Sequence, residues 1–456
     1  MKSGFSILKT GLSVFMSFFL ISILINYSYG QNWNPLGLGS NNEVRAFAVY
    51  NGNLYAGGAF TSMGGISANR IAMWNGSSWS SLGIGLNGNV NALTVYNGEL
   101  IVAGNFTTVG GVNCNRIAKW NGTNWNLLDN NNGANDEILS MCVLSNELYI
   151  GGRFTNAGSI PANRIIKWNG STWSTLGLGV NGTVYALSAY NNTVVAGGSF
   201  ITAGGINVNR VAMWNGSSWS SLGAGVNDIV FCFAAVNNDL YIGGAFTNIG
   251  GVNVSHIARW NGSWSNLGIG VNNNVLSLVS YNGSLIIGGS FTTIGGVSAS
   301  RIGMWNGTNW STLSSGMSGG NPTEVKALIV YNSLPHAGGD FYSAGGVTVN
   351  NIARWGTPTG IEPSNNNMPN KYNLAQNYPN PFNPVTTIDY QLPVSGTTRL
   401  TLYDETGKEV VKLVDGYQEA GNHKLDFNAI NITSGVYYYR LESGDFSSVR
   451  KMVLIK

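Results

Sequence analysis

Residues 44–79 read V-R-A-F-A-V-Y-N-G-N-L-Y-A-G-G-A-F-T-S-M-G-G-I-S-A-N-R-I-A-M-W-N-G-S-S-W. Close copies follow at intervals of about 46 residues, the range of repeat-built architectures. The tryptophan of the N-R-I-A-x-W-N-G phrase returns at Trp74, Trp120, Trp168, Trp214, Trp260, Trp305 and Trp355, so the copies number seven. Each copy holds four short extended segments. The first, V-x-A-L-x-V-Y, alternates, and Asn-Gly then leads into L-Y-x-G-G-x-F. Two residues of that kind between strand-like runs favour a type I′ hairpin, since both need positive φ. A loop of T-x-x-G-G-V-x-x-N precedes R-I-A-x-W, and a second Asn-Gly returns the chain into W-S-x-L-G. Four antiparallel strands, seven times over, predict an all-β seven-bladed β-propeller.

Two further patterns fit that geometry. Ala46, Ala92, Ser140, Ala186, Cys232, Ser277 and Ala327 share one position in the first strand, where blades crowd together at an axis. The second tryptophan of the pattern occurs at Trp79, Trp125, Trp173, Trp219, Trp264 and Trp310, and the last copy lacks one. Asn32-Trp33-Asn34-Pro35-Leu36-Gly37 matches the missing strand. The N-terminal segment is therefore expected to close the last blade and remove two open edges.

Differences among copies mark where a ligand could be read. The second residue of the first strand is Arg45, Asn91, Leu139, Tyr185, Phe231, Leu276 or Lys326. The residue after the double glycine is Ala59, Asn105, Arg153, Ser199, Ala245, Ser290 or Asp340. Both positions lie at the strand ends away from the hairpin turn, so they should ring one mouth. Diversity at loop ends on a rigid scaffold is where binding resides. The plainer reading is tolerated variation, with Lys326 and Asp340 as a cross-strand charge pair. Arg70, Arg116, Arg164, Arg210 and Arg301 recur once per copy. Five donors on a guanidinium suit tying loop carbonyls more than binding an anion.

Composition excludes several classes. Charged residues are 9% and Gly numbers 63, with a net charge of +3, which gives no footprint for nucleic acid. No nucleophile elbow, phosphate loop, metal spacing or cofactor motif is visible, and no cofactor is expected. Cys114, Cys142 and Cys232 form no disulfide framework, and the last two stand where other copies place small strand residues. Lys2 and Lys9, an apolar run over 12–25, and Ser28-Tyr29-Gly30 give residues 1–30 the grammar of a secretory signal cleaved between Gly30 and Gln31. No later run is long and apolar enough to span a membrane. The propeller is expected over 31–356, a Pro-, Gly- and Asn-rich connector over 357–370, and a small Ig-like β-sandwich over 371–456.

The G-G…W-N-G…W layout of 31–356 resembles the Kelch-type propellers, including galactose oxidase-like proteins. Their copper chemistry would need a His and Tyr–Cys site. His256 and His336, one-off substitutions in different copies, do not supply it. The tail resembles the type A C-terminal sorting domain. The residues that carry this are Asn377-Tyr378-Pro379-Asn380-Pro381-Phe382-Asn383-Pro384, Leu402-Tyr403-Asp404 with Gly407-Lys408, Ser434-Gly435-Val436-Tyr437, and Lys451-Met452-Val453-Leu454-Ile455-Lys456. The resemblance implies Sec passage to the periplasm of a Bacteroidota-type cell and transfer outward by type IX secretion machinery. It also implies tail removal, with release or surface attachment. The expected product is a monomeric, non-enzymatic propeller, secreted or at the cell surface, with a glycan or surface-protein ligand. A polysaccharide-active enzyme and a structural spacer are the competing readings.

Overall fold

The computed structural model describes residues 31–129, 133–356, 371–394, 396–418 and 421–456. The expected signal over 1–30, including Gly30, and the connector over 357–370 lie outside the described residues. No helix occurs among the described residues, so none could cross a membrane.

Each sequence copy forms one four-stranded antiparallel sheet, its strands in chain order. In sheet 1 these are Val44–Tyr50, Asn53–Gly58, Ile71–Trp74 and Trp79–Ser81. Sheets 2 to 6 begin at Val90, Ile138, Val184, Val230 and Val275. Sheet 7 takes Glu324–Tyr331, Leu334–Asp340 and Ile352–Gly356, then Asn32–Pro35 from the other end of the propeller sequence. There Trp33 lies opposite Trp355. The first strand of each sheet packs on the first strand of the next, and that of sheet 7 on that of sheet 1. The inner hairpins turn through paired positive φ angles, such as 49° at Asn51 and 75° at Gly52, as a type I′ turn requires.

The double glycine does two separate jobs. A Cβ on Gly57 would stand 2.4 Å from Cγ1 of Val90 in the next sheet. The same meeting joins Gly151 to Val184, Gly197 to Val230, Gly243 to Val275, Gly288 to Val325, and Gly338 to Val44 across the final seam. Sheet 2 places Ala103 here, and its neighbour is Ile138, with both in one buried cluster. The second glycine answers a β-bulge. Val44 pairs with Gly58 and Ala46 with Gly57, which leaves Arg45 unpaired. The bulge brings the Glu43 carbonyl to 2.1 Å from where a Cβ on Gly58 would lie, and that of Thr183 to 1.9 Å on Gly198. Only glycine fits beneath it.

Farther out, seven tryptophan pairs tilt against one another at 4.8–5.4 Å between ring centroids. Trp79 Nε1 donates to the Leu36 carbonyl at 2.9 Å and Trp219 Nε1 to that of Leu176 at 2.8 Å, stitching each sheet to the exit of the previous one. Trp33 makes the same bond to Leu313 at 3.1 Å. Sheet 3 departs from this rule: Trp173 Nε1 donates instead to the Asp129 carboxylate at 2.7 Å. The T-x-x-G-G segments, read above as loops, are themselves two-residue hairpins. Ser62–Met63 pairs with Ile66–Ser67 through Gly64 and Gly65 at φ 62° and 84°.

The tail is a separate body of two antiparallel sheets. One orders Asn373–Leu374, Val385–Leu392 and Gly421–Asn428, and the other Glu409–Gln418, Gly396–Asp404, Gly435–Ser443 and Phe446–Leu454. Ile388, Tyr390, Leu400, Leu402, Tyr439, Leu441 and Met452 fill the core between them.

Two substitutions test this architecture by chemical denaturation of residues 31–456. Trp33 is 1% exposed, and Trp33→Ala should cost about 3–5 kcal/mol through the cavity and the lost bond. Gly198→Ala should cost more than roughly 2 kcal/mol, because the Thr183 carbonyl occupies the new methyl's place. Wild-type midpoints would refute either assignment.

Candidate functional site at the bulged end of the ring

The variable second residue of each first strand is the bulged residue. Register slips occur at Val44/Ala46, Val90/Ala92, Ile138/Ser140, Val184/Ala186, Val230/Cys232, Val275/Ser277 and Val325/Ala327. A bulged side chain has no cross-strand neighbour to match and is turned out of the ladder. Arg45, Asn91, Leu139, Tyr185, Phe231, Leu276 and Lys326 are all half-buried.

Some of these residues meet across the seams. Lys326 Nζ and Arg45 both bind the Glu43 carboxylate, and Lys326 also lies 3.2 Å from Glu324. Arg45 Nη1 donates to Asn91 Oδ1 at 2.9 Å. Asn91 Nδ2 donates to Glu137 at 2.9 Å and to the Ile138 carbonyl at 3.1 Å. Arg153, about half exposed, lies 3.6 Å from Glu137. A polar arc therefore runs from sheet 7 through sheets 1 and 2 to sheet 3. On the other side, Tyr185 and Phe231 meet edge-to-face at 5.5 Å. Leu139 and Leu276 occupy the flanking bulges, so this arc is apolar.

Burial pushes the Glu43 carboxyl up, but Lys326 and Arg45 more than offset it and hold it below its ordinary value. Asp340 is different. Lys326 does not pair with it, contrary to the simple charge-pair reading, because Lys326 is held by Glu43 and Glu324. Asp340 stands directly opposite Glu324 in the ladder. Burial first, and then Glu43, raise its carboxyl, against the pull of Lys326 and a hydrogen bond from the Asn321 backbone. Asn105 is used locally, its Oδ1 accepting the Asn89 N–H at 2.7 Å.

The repeated arginines are backbone ties. Arg70, Arg116, Arg164, Arg210 and Arg301 all adopt φ of 63–69°. Their side chains return to carbonyls, such as Arg70 to Ala59 and Phe60, Arg210 to Val226, and Arg301 to Thr323 and Phe291. Asn351 replaces them in sheet 7, accepting from Phe341 N–H and donating to the Ser40 carbonyl. The left-handed backbone was not legible from the sequence, because arginine gives no signal for it.

His256, at φ 63°, immediately precedes the third strand of sheet 5, Ile257–Trp260, and His336 lies in the second strand of sheet 7. His336 is 1% exposed, its Nδ1 is 2.9 Å from the Leu334 carbonyl, and its ring packs edge-on against Tyr331. Burial drives its pKa down to about 4, and Arg354 adds to this. All three cysteines are free, and burial pushes the thiols of Cys114 and Cys142 up to about 12. They are poor nucleophiles as they stand.

In the tail, motifs that are far apart in sequence come together. Asn380 Oδ1 accepts the Val453 N–H at 2.8 Å, and its Nδ2 donates to the Lys451 carbonyl at 3.2 Å. Phe382 is buried and exchanges backbone bonds with Val453 and Ile455 on either side of Leu454. Pro381 and Asn383 flank it, exposed, and the Pro384 carbonyl accepts the Ala429 N–H. Asp404 Oδ1 caps a turn through Thr406 and Lys408 that Gly407 completes at φ 82°. Tyr437 donates to the Thr433 carbonyl two residues before Gly435, with Val436 half-buried beside it. Lys456 Nζ reaches the Ile430 carbonyl.

The family model described as "Secretion system C-terminal sorting domain" matches residues 376–456. One described as "Domain of unknown function (DUF5122) beta-propeller" matches 97–126 and 237–265. The tail is thus a sorting domain, which implies export by type IX secretion to the outer surface or medium, and the repeat body is a β-propeller. No curated protein matches the chain. Among solved structures, PorZ, a bacterial surface component of the type-IX secretion system of Porphyromonas gingivalis, is 12% identical, over 91% of this chain and 70% of its own, with TM-score 0.27. A fungal alcohol oxidase of the AA5 family, in complex with copper, is 13% identical, over 93% of this chain and 100% of its own, with TM-score 0.43. A protein of unknown function from Bacteroides thetaiotaomicron is 10% identical, over 72% and 76%, with TM-score 0.35.

His336 yields a pH test. Its folded pKa lies below the ordinary 6.5, so the unfolded chain takes up the proton first. Stability present above 6.5 is lost as pH falls toward 4, by up to about 3 kcal/mol. His336→Tyr, which restores the residue of sheets 1, 3 and 5, should flatten that part of the stability–pH profile. An unchanged profile would count against it.

Proposed function

We propose that this chain is an exported binding protein: a Kelch-like propeller of seven blades, presented outside the cell, that engages a macromolecular ligand at its bulged mouth. The single observation that carries the reading is where the copies differ. The glycines, tryptophans and arginines that hold the sheets recur, while the bulged residue changes from Arg45 to Phe231 to Lys326. Binding sites on rigid repeat scaffolds concentrate at such positions. The mouth is better suited to binding than to turnover, since Glu43, Glu137 and Glu324 are each engaged with a neighbouring cation or amide. An acid–base pair needs carboxylates free to exchange protons.

In this reading residues 1–30 are a Sec signal cleaved before Gln31. The Ig-like tail over 371–456 then carries the folded propeller to the type IX machinery of a Bacteroidota-type cell. The product works as a monomer without a cofactor. The steps are separable by experiment. Deleting residues 371–456 in the producing cell should strand the propeller in the periplasm, by fractionation and immunoblot, and normal release would refute the route. On glycan and surface-protein arrays the mature chain should retain a ligand that Phe231→Ala loses. An array with no ligand would favour a structural spacer, and saccharide turnover would favour an enzyme.

A further inference from the structure

The mouth is polarised, which limits what it can take. Around sheets 7 and 1, three carboxylates (Glu43, Glu324 and Asp340) face two cations, Arg45 and Lys326. Arg45 binds Glu43 and Asn91, and Lys326 binds Glu43 and Glu324. Asp340 has no ion-pair partner among the described residues, and like charges directly across a ladder repel. Across the ring, Tyr185 and Phe231 offer half-buried aromatic surface, and sheets 4, 5 and 6 carry no charge at any of the variable mouth positions. We propose that the mouth receives a segment of another protein, which sets a Lys or Arg side chain against Asp340 and an aliphatic or aromatic side chain against Tyr185 and Phe231.

This rests on the mouth reading above and adds the chemical class of the ligand. A basic side chain at Asp340 supplies the missing counter-charge and relieves the repulsion from Glu324. That gain belongs only to a cation. The aromatic pair gains by shedding water onto an apolar group. A neutral glycan fits poorly, because the amides and charges of the polar arc are already spent on one another. An anionic ligand would meet the surplus carboxylate.

The test uses the mature chain and fluorescence anisotropy with three short labelled peptides of identical spacing. One carries Lys and Phe, one Glu and Phe, and one Lys and Ser. Binding of the Lys–Phe peptide alone, weakened about tenfold by isosteric Asp340→Asn and by Phe231→Ser, is the expected result. The affinity should also fall with added salt. Equal binding of the Glu–Phe peptide, or indifference to Asp340→Asn, would overturn the basic-segment assignment. If Phe231→Ser still weakened binding about tenfold in that case, the mouth itself would stand. Binding untouched by either variant would remove the mouth as well. If no peptide bound while an array ligand was lost on Phe231→Ser, the ligand class would be refuted and the mouth retained.

Discussion

Everything in the repeat body depends on one contact: the β-branched side chain that opens each sheet, seated on the bare Cα of a glycine in the sheet before it. Val90 on Gly57 and Val44 on Gly338 are the same joint at opposite ends of the sequence. Close packing of this kind leaves no slack, because a single added methyl would overlap carbon already there. The angle between neighbouring sheets is therefore set by the pair rather than by the loops between them. The seam after sheet 2 is the exception, with Ala103 and Ile138 buried together in place of the glycine and valine.

The neighbouring glycine has the opposite effect. By admitting a bulge it takes one residue per sheet out of the ladder, so that residue no longer has to satisfy a cross-strand partner. The scaffold and the variable surface are separated at adjacent positions: Val44 must fit, and Arg45 need not. This is how a near-symmetric repeat comes to have an asymmetric mouth, charged over one arc and aromatic over another.

The legible features were those written as repetition. The tryptophan period located the sheets, and the spare tryptophan at Trp33 located the strand paired with Trp355. The positive-φ hairpins of sheets 1, 2 and 6 were legible because Asn-Gly has few other uses, whereas the other sheets take the same angles through Ser-Asn, Asn-Asn and Asn-Ser, which signal them less plainly. The bulge was not, although the double glycine was its trace, because two glycines in a strand admit several explanations. The left-handed arginines left no trace, since their conformation is held by bonds to carbonyls distant in sequence. Nor could the sequence choose the partner of Lys326. Glu43 lies across the final seam, 283 residues away, whereas Asp340 lies on the neighbouring strand of the same sheet.

The strand Asn32–Pro35 sits beside Ile352–Gly356, so the first part of the propeller to be made is the last to find its place. During synthesis that segment has no edge to join until six complete sheets lie behind it, and sheet 7 keeps an unpaired side until then. Contacts of such long sequence separation form late and slowly. That delay marks time: a body whose ends have met has finished assembly. The sorting domain over 376–456 follows that closing sheet in the chain.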